Sequence, residues 1–149
     1  MPLILIKELT TKKELTEFVK FPLSLYKNNP YWVPPLISDE VDSFDKTKNP
    51  VFDNAEAFFY GAYNEKGKMV GRVVAIINQH DLKQNIKKVR FGWLDMVDDI
   101  QVTQVLLDKV AEKAREYQLE YMEGPIGFSS MDKVGLLTEG YDHLSNMMT

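Results

Sequence analysis

Three aspartates, Asp95, Asp98 and Asp99, stand together where an aromatic-rich strand gives way to a long amphipathic helix. Their structural use is clear: Asp98 would cap the helix and Asp99 would complement the positive end of its dipole, worth about 0.3–1 kcal/mol for a nearby charge. The chemical use falls on Asp95. At a strand end it could act as a general base if burial made it basic enough at neutral pH. Arg72 interrupts an otherwise apolar strand, and a buried arginine needs a carboxylate or carbonyl partner. An internal ion pair is the favoured reading; an anchor for a substrate carboxylate is the other. Trp32, in a proline-flanked stretch, and Tyr60 and Trp93, on strands, offer apolar area with a hydrogen-bonding tip. Aromatic residues on strands usually belong to the core. Their functional alternative is a pocket around Tyr60 and Trp93 for a small ligand or peptide.

Other chemistries find little support. His80 and His143 are the only histidines, and their spacing does not place two ligands on one helical face, so no metal site is expected. Ser129-Ser130 has no G-x-S-x-G elbow around it. Neither a Walker loop nor a G-x-G-x-x-G after a strand is present. The chain has no cysteine, which removes disulfides, thiolate nucleophiles and cysteine-ligated metals.

These residues are positioned by a recognisable series of elements. Residues 3–6 form a short apolar run, read as a strand, and Thr10 and Thr11 follow as helix-capping residues. Leu15, Phe18, Val19 and Leu23 recur at helical spacing, Pro22 should kink or divide that helix, and Asn28-Asn29-Pro30 ends it. Tyr31-Trp32-Val33-Pro34-Pro35 is extended, and residues 36–44 form a second helix before Asn49-Pro50. Ala55–Tyr63 and Met69–Asn78 are rich in aromatic and β-branched residues around Asn64-Glu65-Lys66-Gly67, the pattern of an antiparallel hairpin with Gly67 at positive φ. The second arm is apolar on both faces and therefore lies mid-sheet. A polar loop, residues 80–88, leads to a strand over residues 89–97. The long helix buries Val102, Leu106, Val110, Ala114 and Tyr117. A strand at residues 120–123 ends at Gly124-Pro125, and residues 126–149 show no sustained period, so loop with one helical turn is expected there. The helix between the last two strands implies a parallel pair with a right-handed crossover. The fold class is α+β, with a mixed, mostly antiparallel twisted sheet and flanking helices.

The chain has 149 residues with 44% hydrophobic and 27% charged, the profile of one globular domain. Its net charge of -4 argues against nucleic acid as a partner. No apolar run reaches the length of a membrane span and no signal peptide is evident, so no membrane partner and a cytoplasmic location are expected.

Several runs carry a family resemblance: Tyr31-Trp32-Val33-Pro34-Pro35-Leu36, Val70-Gly71-Arg72-Val73 with Ala75-Ile76-Ile77-Asn78, Phe91-Gly92-Trp93, Gly124-Pro125, and Gly135-Leu136-Leu137 with Glu139-Gly140-Tyr141-Asp142. Together they resemble a group of bacterial GNAT-like proteins of the acyl-CoA N-acyltransferase superfamily. The resemblance implies transfer of an acyl group from acetyl-CoA or another acyl-CoA to a small-molecule or peptide amine. It places the cofactor beside the fourth strand, and in the enzyme reading the backbone of Met96 and Val97 would hold the pantetheine arm with Asp95 as base, while Tyr60, Arg72 and Trp93 are substrate-binding candidates by their own residue chemistry. The diphosphate would sit on the amino terminus of the long helix, where working members carry a glycine loop. Here that segment is Val97-Asp98-Asp99-Ile100-Gln101-Val102, with no glycine and two carboxylates. Those charges would repel a diphosphate, which leaves a non-catalytic binding or interaction module of the same fold as the alternative. Members of the group are longer, so residues 1–149 are expected to be a single GNAT-like domain lacking its last strands. An open sheet edge of that kind favours a homo-oligomer or a missing carboxy-terminal segment as its cover.

Overall fold

The structure is a computed structural model that describes residues 3–129, 132, 135–139, 142 and 143. Its elements follow in the order β1 (Leu5–Leu9), α1 (Lys12–Leu25), α2 (Ile37–Ser43), a 3-10 turn (Pro50–Asp53), β2 (Ala55–Tyr63), β3 (Met69–Asn78), α3 (Gln79–Lys83), β4 (Lys88–Met96), α4 (Ile100–Glu116) and β5 (Tyr121–Glu123). The five strands lie side by side in sequence order. β1 to β4 pair antiparallel, and β4 pairs parallel with β5 through the α4 crossover. The α+β class and the mixed, mostly antiparallel sheet are as the sequence implied.

β2 and β3 occupy the expected spans, and α2, β4 and β5 fall within a residue of theirs. The differences have local causes. β1 starts two residues later than its apolar run, because its ladder to β2 runs from Leu5↔Tyr63 to Leu9↔Phe59. Leu3 and Leu5 stay more than half exposed. Thr11 does cap α1, in a full capping box with Glu14. Pro22 lies inside α1 without dividing it, since only one further turn follows before the helix ends. The expected polar loop after β3 begins instead with α3, whose first amides, on His80 and Asp81, donate to the Asn78 side chain. Five residues are too few for a period to show. Residues 126–129 carry no helix or strand, and most of the segment beyond, including Gly140 and Tyr141, lies outside the described residues.

The sheet buries both faces, and each core has its own character. α4 lays Val102, Leu106, Val110 and Ala114 over Val70, Val73, Ala75, Ile77 and Val89, each fully buried aliphatic side chain contributing about 1.5–3 kcal/mol. Tyr117, expected in that stripe, is instead half-exposed at the helix end. Close approach of α4 requires Gly71, where a Cβ would come within 2.8 Å of both Leu106 and Val102. On the opposite face, α1 and α2 pack Phe18, Val19 and Phe44 against Phe59, Val74 and Ile76.

One irregularity decides what faces where. Between the pairs Arg72↔Asp95 and Val74↔Gly92, β4 carries one residue more than β3. The bulge falls at Trp93 and Leu94, with Trp93 at φ 47°, a conformation rare for a bulky residue. A period-two reading puts Trp93 on the α4 side with Val89 and Phe91. The extra residue turns it to the α1 side, against Phe44 and Phe128. Asp95 follows it to that side.

Candidate functional site

Beyond the bulge, β4 and β5 separate. Their ladder covers only Lys88↔Tyr121 to Arg90↔Glu123, and one further bond, Ile126 N–H to the Phe91 carbonyl at 2.8 Å, closes it. At Gly92 the chain after β5 lies directly on β4, where a Cβ would collide with the Ile126 carbonyl. From Trp93 onward no strand pairs with that edge of β4 among the described residues. A cleft of about 400 Å³ opens there between β4 and the end of α1. Tyr26, Trp32, Glu40, Arg72, Trp93 and Asp95 line it together with Pro22, Leu136 and Leu137.

An ion pair forms the base of this cleft. Arg72, 5% exposed, donates from Nε and Nη2 to Asp95 Oδ2 at 3.0 and 2.8 Å. Its Nη1 donates to the Phe18 carbonyl at 2.9 Å. Pro22 explains that acceptor: in α1 the residue four positions after Phe18 has no N–H to offer, so the carbonyl is left for another donor. Phe18 also sets its ring 4.9 Å from the guanidinium carbon. The remaining oxygen, Asp95 Oδ1, accepts from the Tyr26 hydroxyl at 2.6 Å. Burial first, then the adjoining carboxylate, pushes the Tyr26 phenol far above its ordinary pKa, so it stays a proton donor in this contact. The Tyr26 ring lies 5.2 Å from that of Trp32.

The structure brings together only part of what the sequence singled out. Arg72 adopts the ion-pair reading, with Asp95 as its partner. Asp95 keeps its strand-end position with both oxygens accepting hydrogen bonds, Oδ2 from Arg72 and Oδ1 from Tyr26. Trp93 and Trp32 line the cleft. Tyr60 does not: it is 1% exposed in the α4-side core, across the sheet from Trp93, and the expected pocket shared by Tyr60 and Trp93 is not formed. The bulge is the physical reason. Val97 donates its N–H to the Val70 carbonyl at 2.9 Å, so this amide belongs to the sheet and not to a ligand. Alternation along an antiparallel ladder turns the backbone of Met96 the other way, toward the open edge.

Asp99, and not Asp98, caps α4, its Oδ1 accepting from the Gln101 N–H at 2.9 Å. The helix begins one residue later than the sequence suggested. No group of three or more His, Asp or Glu able to hold a metal occurs among the described residues. No helix among them is long and apolar enough to cross a membrane. Tyr26 and Glu40 were not singled out from the sequence. Tyr26 reaches Asp95 across 69 positions, and no local pattern encodes such a contact.

No family model matches the sequence. Protein YghO of Escherichia coli K12 is 30% identical over 141 residues, which are 93% of this chain and 35% of that protein. The chain thus spans about a third of the curated relative it matches. Among solved structures, a putative acetyltransferase from Pyrococcus furiosus superposes with a TM-score of 0.55 at 16% identity, covering 84% of this chain and 83% of that one. A GNAT-family acetyltransferase from Staphylococcus aureus Mu50 gives 0.54 at 20% identity, covering 79% and 69%. The fold is GNAT-like. In this GNAT-like sheet the edge of β4 beyond Gly92 borders the cleft with no strand partner among the described residues. The start of α4 does not suit a diphosphate: a carboxylate already accepts from its first-turn amide, and Asp98 adds a second negative charge to the same field.

Proposed function

We propose that this chain is the donor- and acceptor-binding part of a divergent N-acyltransferase acting on an acyl thioester, acetyl-CoA or another acyl-CoA, and an amine. The observation carrying this reading is the opening of the sheet after Gly92, which leaves the β4 edge at Met96 without a strand partner among the described residues, beside a cleft holding Asp95, Arg72 and Trp93. The thioester arm would run along that edge, with the Met96 backbone as its partner. The diphosphate contributes nothing at α4, where Asp99 takes the amide a phosphate would use. Arg72 fixes Asp95, and Tyr26 completes its hydrogen bonding, so Asp95 stands as a placed negative charge toward the acceptor.

Calorimetric titration with acetyl-CoA and with acetyl-pantetheine, which lacks the nucleotide and diphosphate, tests this. The two should bind with similar affinity. An advantage of acetyl-CoA beyond about tenfold, or 1.4 kcal/mol, would show that the diphosphate is held and overturn the account of α4. Absence of binding by both up to millimolar concentration would remove the donor. That result would leave the second reading, a binding module of the same fold, which is favoured by the engagement of both Asp95 oxygens.

A further inference from the structure

Part of the cleft's wall comes from outside the sheet. Pro125, Leu136 and Leu137 line it, and they belong to the segment after β5, where residues 124–129 and 135–137 have no helix or strand of their own. Lacking a ladder, that segment depends on individual contacts to stay seated. Ile126 donates its N–H to the Phe91 carbonyl at 2.8 Å, and Gly135 donates to the Pro125 carbonyl at 2.9 Å. Arg90 of β4 supplies the charged contact: its Nη1 donates to the Phe128 carbonyl at 3.2 Å. The Phe128 ring, buried, then lies 5.6 Å from Trp93 and 5.4 Å from Phe52.

Asp81 fixes the direction of that contact. The Nε and Nη2 of Arg90 donate to Asp81 Oδ2 and Oδ1, both at 3.2 Å, and Asp81 is buried in α3, a helix tied to the end of β3 by the Asn78 side chain. A planar guanidinium gripped on two nitrogens by a carboxylate leaves its third nitrogen one direction to point. Arg72 is built the same way, with two nitrogens on Asp95 and the third on the Phe18 carbonyl. The element Arg72 secures is a helix with its own hydrogen bonds, whereas Arg90 secures a segment without them. We infer that Arg90 and Asp81 are positioning residues for the cleft. Neither is among its described lining residues; together they latch the segment after β5 onto β4, and so set the Pro125 wall and the Phe128 ring that backs Trp93. What the cleft takes rests on the acyltransferase reading, while the latch can be measured with nothing bound.

Arg90→Lys discriminates best, because an ammonium still neutralises Asp81 but cannot span the carboxylate and the Phe128 carbonyl in one plane. Hydrogen exchange of the Ile126 amide should accelerate about tenfold or more, the loss of a hydrogen bond to a charged group, while the amides of β2 and β3 keep their rates. The chain has two tryptophans, so a Trp32→Phe background leaves Trp93 as sole reporter, and its quenching by acrylamide should rise about twofold on adding Arg90→Lys. Leu106→Ala, a void on the other face, should speed the β2 and β3 amides and leave Ile126 and Trp93 as they were. Wild-type Ile126 exchange or Trp93 quenching in the lysine variant, or acceleration spread evenly over β2, β3 and Ile126, would overturn the inference. Acetyl-pantetheine should bind the lysine variant about threefold or more weakly, since only molecules with the wall in place are competent. Equal affinity would also overturn it. Failure of acetyl-pantetheine to bind the unaltered chain removes the donor reading alone, and the latch is then decided by exchange and quenching.

Discussion

The two faces of the sheet solve the same burial problem with different materials. Under α4 the core is almost entirely aliphatic, with one phenol, and the helix fits so closely that Gly71 must lack a side chain. Under α1 and α2 it is aromatic, and it holds buried charge: Arg72 with Asp95, and Arg90 with Asp81, whose guanidinium also donates to the Phe128 carbonyl. A dry aliphatic face needs only shape. A face with ion pairs needs each partner in place, because a lone buried charge is far costlier than a small void. The first face therefore secures the fold, and the second gives up some packing to hold polar groups at a defined place beside an opening.

The sharpest way to break this contrast is Arg72→Met, which removes the cation facing Asp95 and the donor to the Phe18 carbonyl. Urea unfolding should show a loss of about 3–5 kcal/mol, and the double variant Arg72→Met with Asp95→Leu should recover most of it. Equal losses in the single and double variants would mean that packing, not charge, governs this face. Leu106→Ala probes the other face and should cost about 2–5 kcal/mol by leaving a void under α4. Tryptophan emission of the folded protein should stay unchanged, since Trp32 and Trp93 are on the far side. Tyr26→Phe should have the smallest effect, about 1.5–3 kcal/mol for a hydrogen bond to a charged group. It also carries a pH signature. The folded pKa of Tyr26 lies above the ordinary phenol value of 10.0, so its stabilisation is intact below that value and fades as pH rises toward the folded one. Alkaline unfolding should accordingly be less steep in the phenylalanine variant, as followed by circular dichroism.

Much of the scaffold was legible because it depends on local chemistry. Asn64 to Gly67 announce the hairpin, Thr11 caps α1 as expected, and the stripe from Val102 to Ala114 spaces itself as a buried helix face. Arg72 was legible in kind, since a cation in an apolar strand demands a partner, but the partner was not. Its identity depends on the register of β3 against β4, and that register shifts at the bulge. The same shift misleads for Trp93, which alternation assigns to the side of Tyr60. Asp98 and Asp99 are both fit to cap α4, and only backbone geometry selects Asp99, with φ -148°. The role of Tyr26 rests on a contact 69 positions away, which no period or short motif records.

Pro22 is normally a liability inside a helix such as α1. Here its missing hydrogen turns a backbone oxygen of α1 into a socket for the guanidinium of β3. Helix and sheet are thereby keyed to each other at the floor of the cleft, and a residue that never contacts a donor group itself determines which way Arg72 must point.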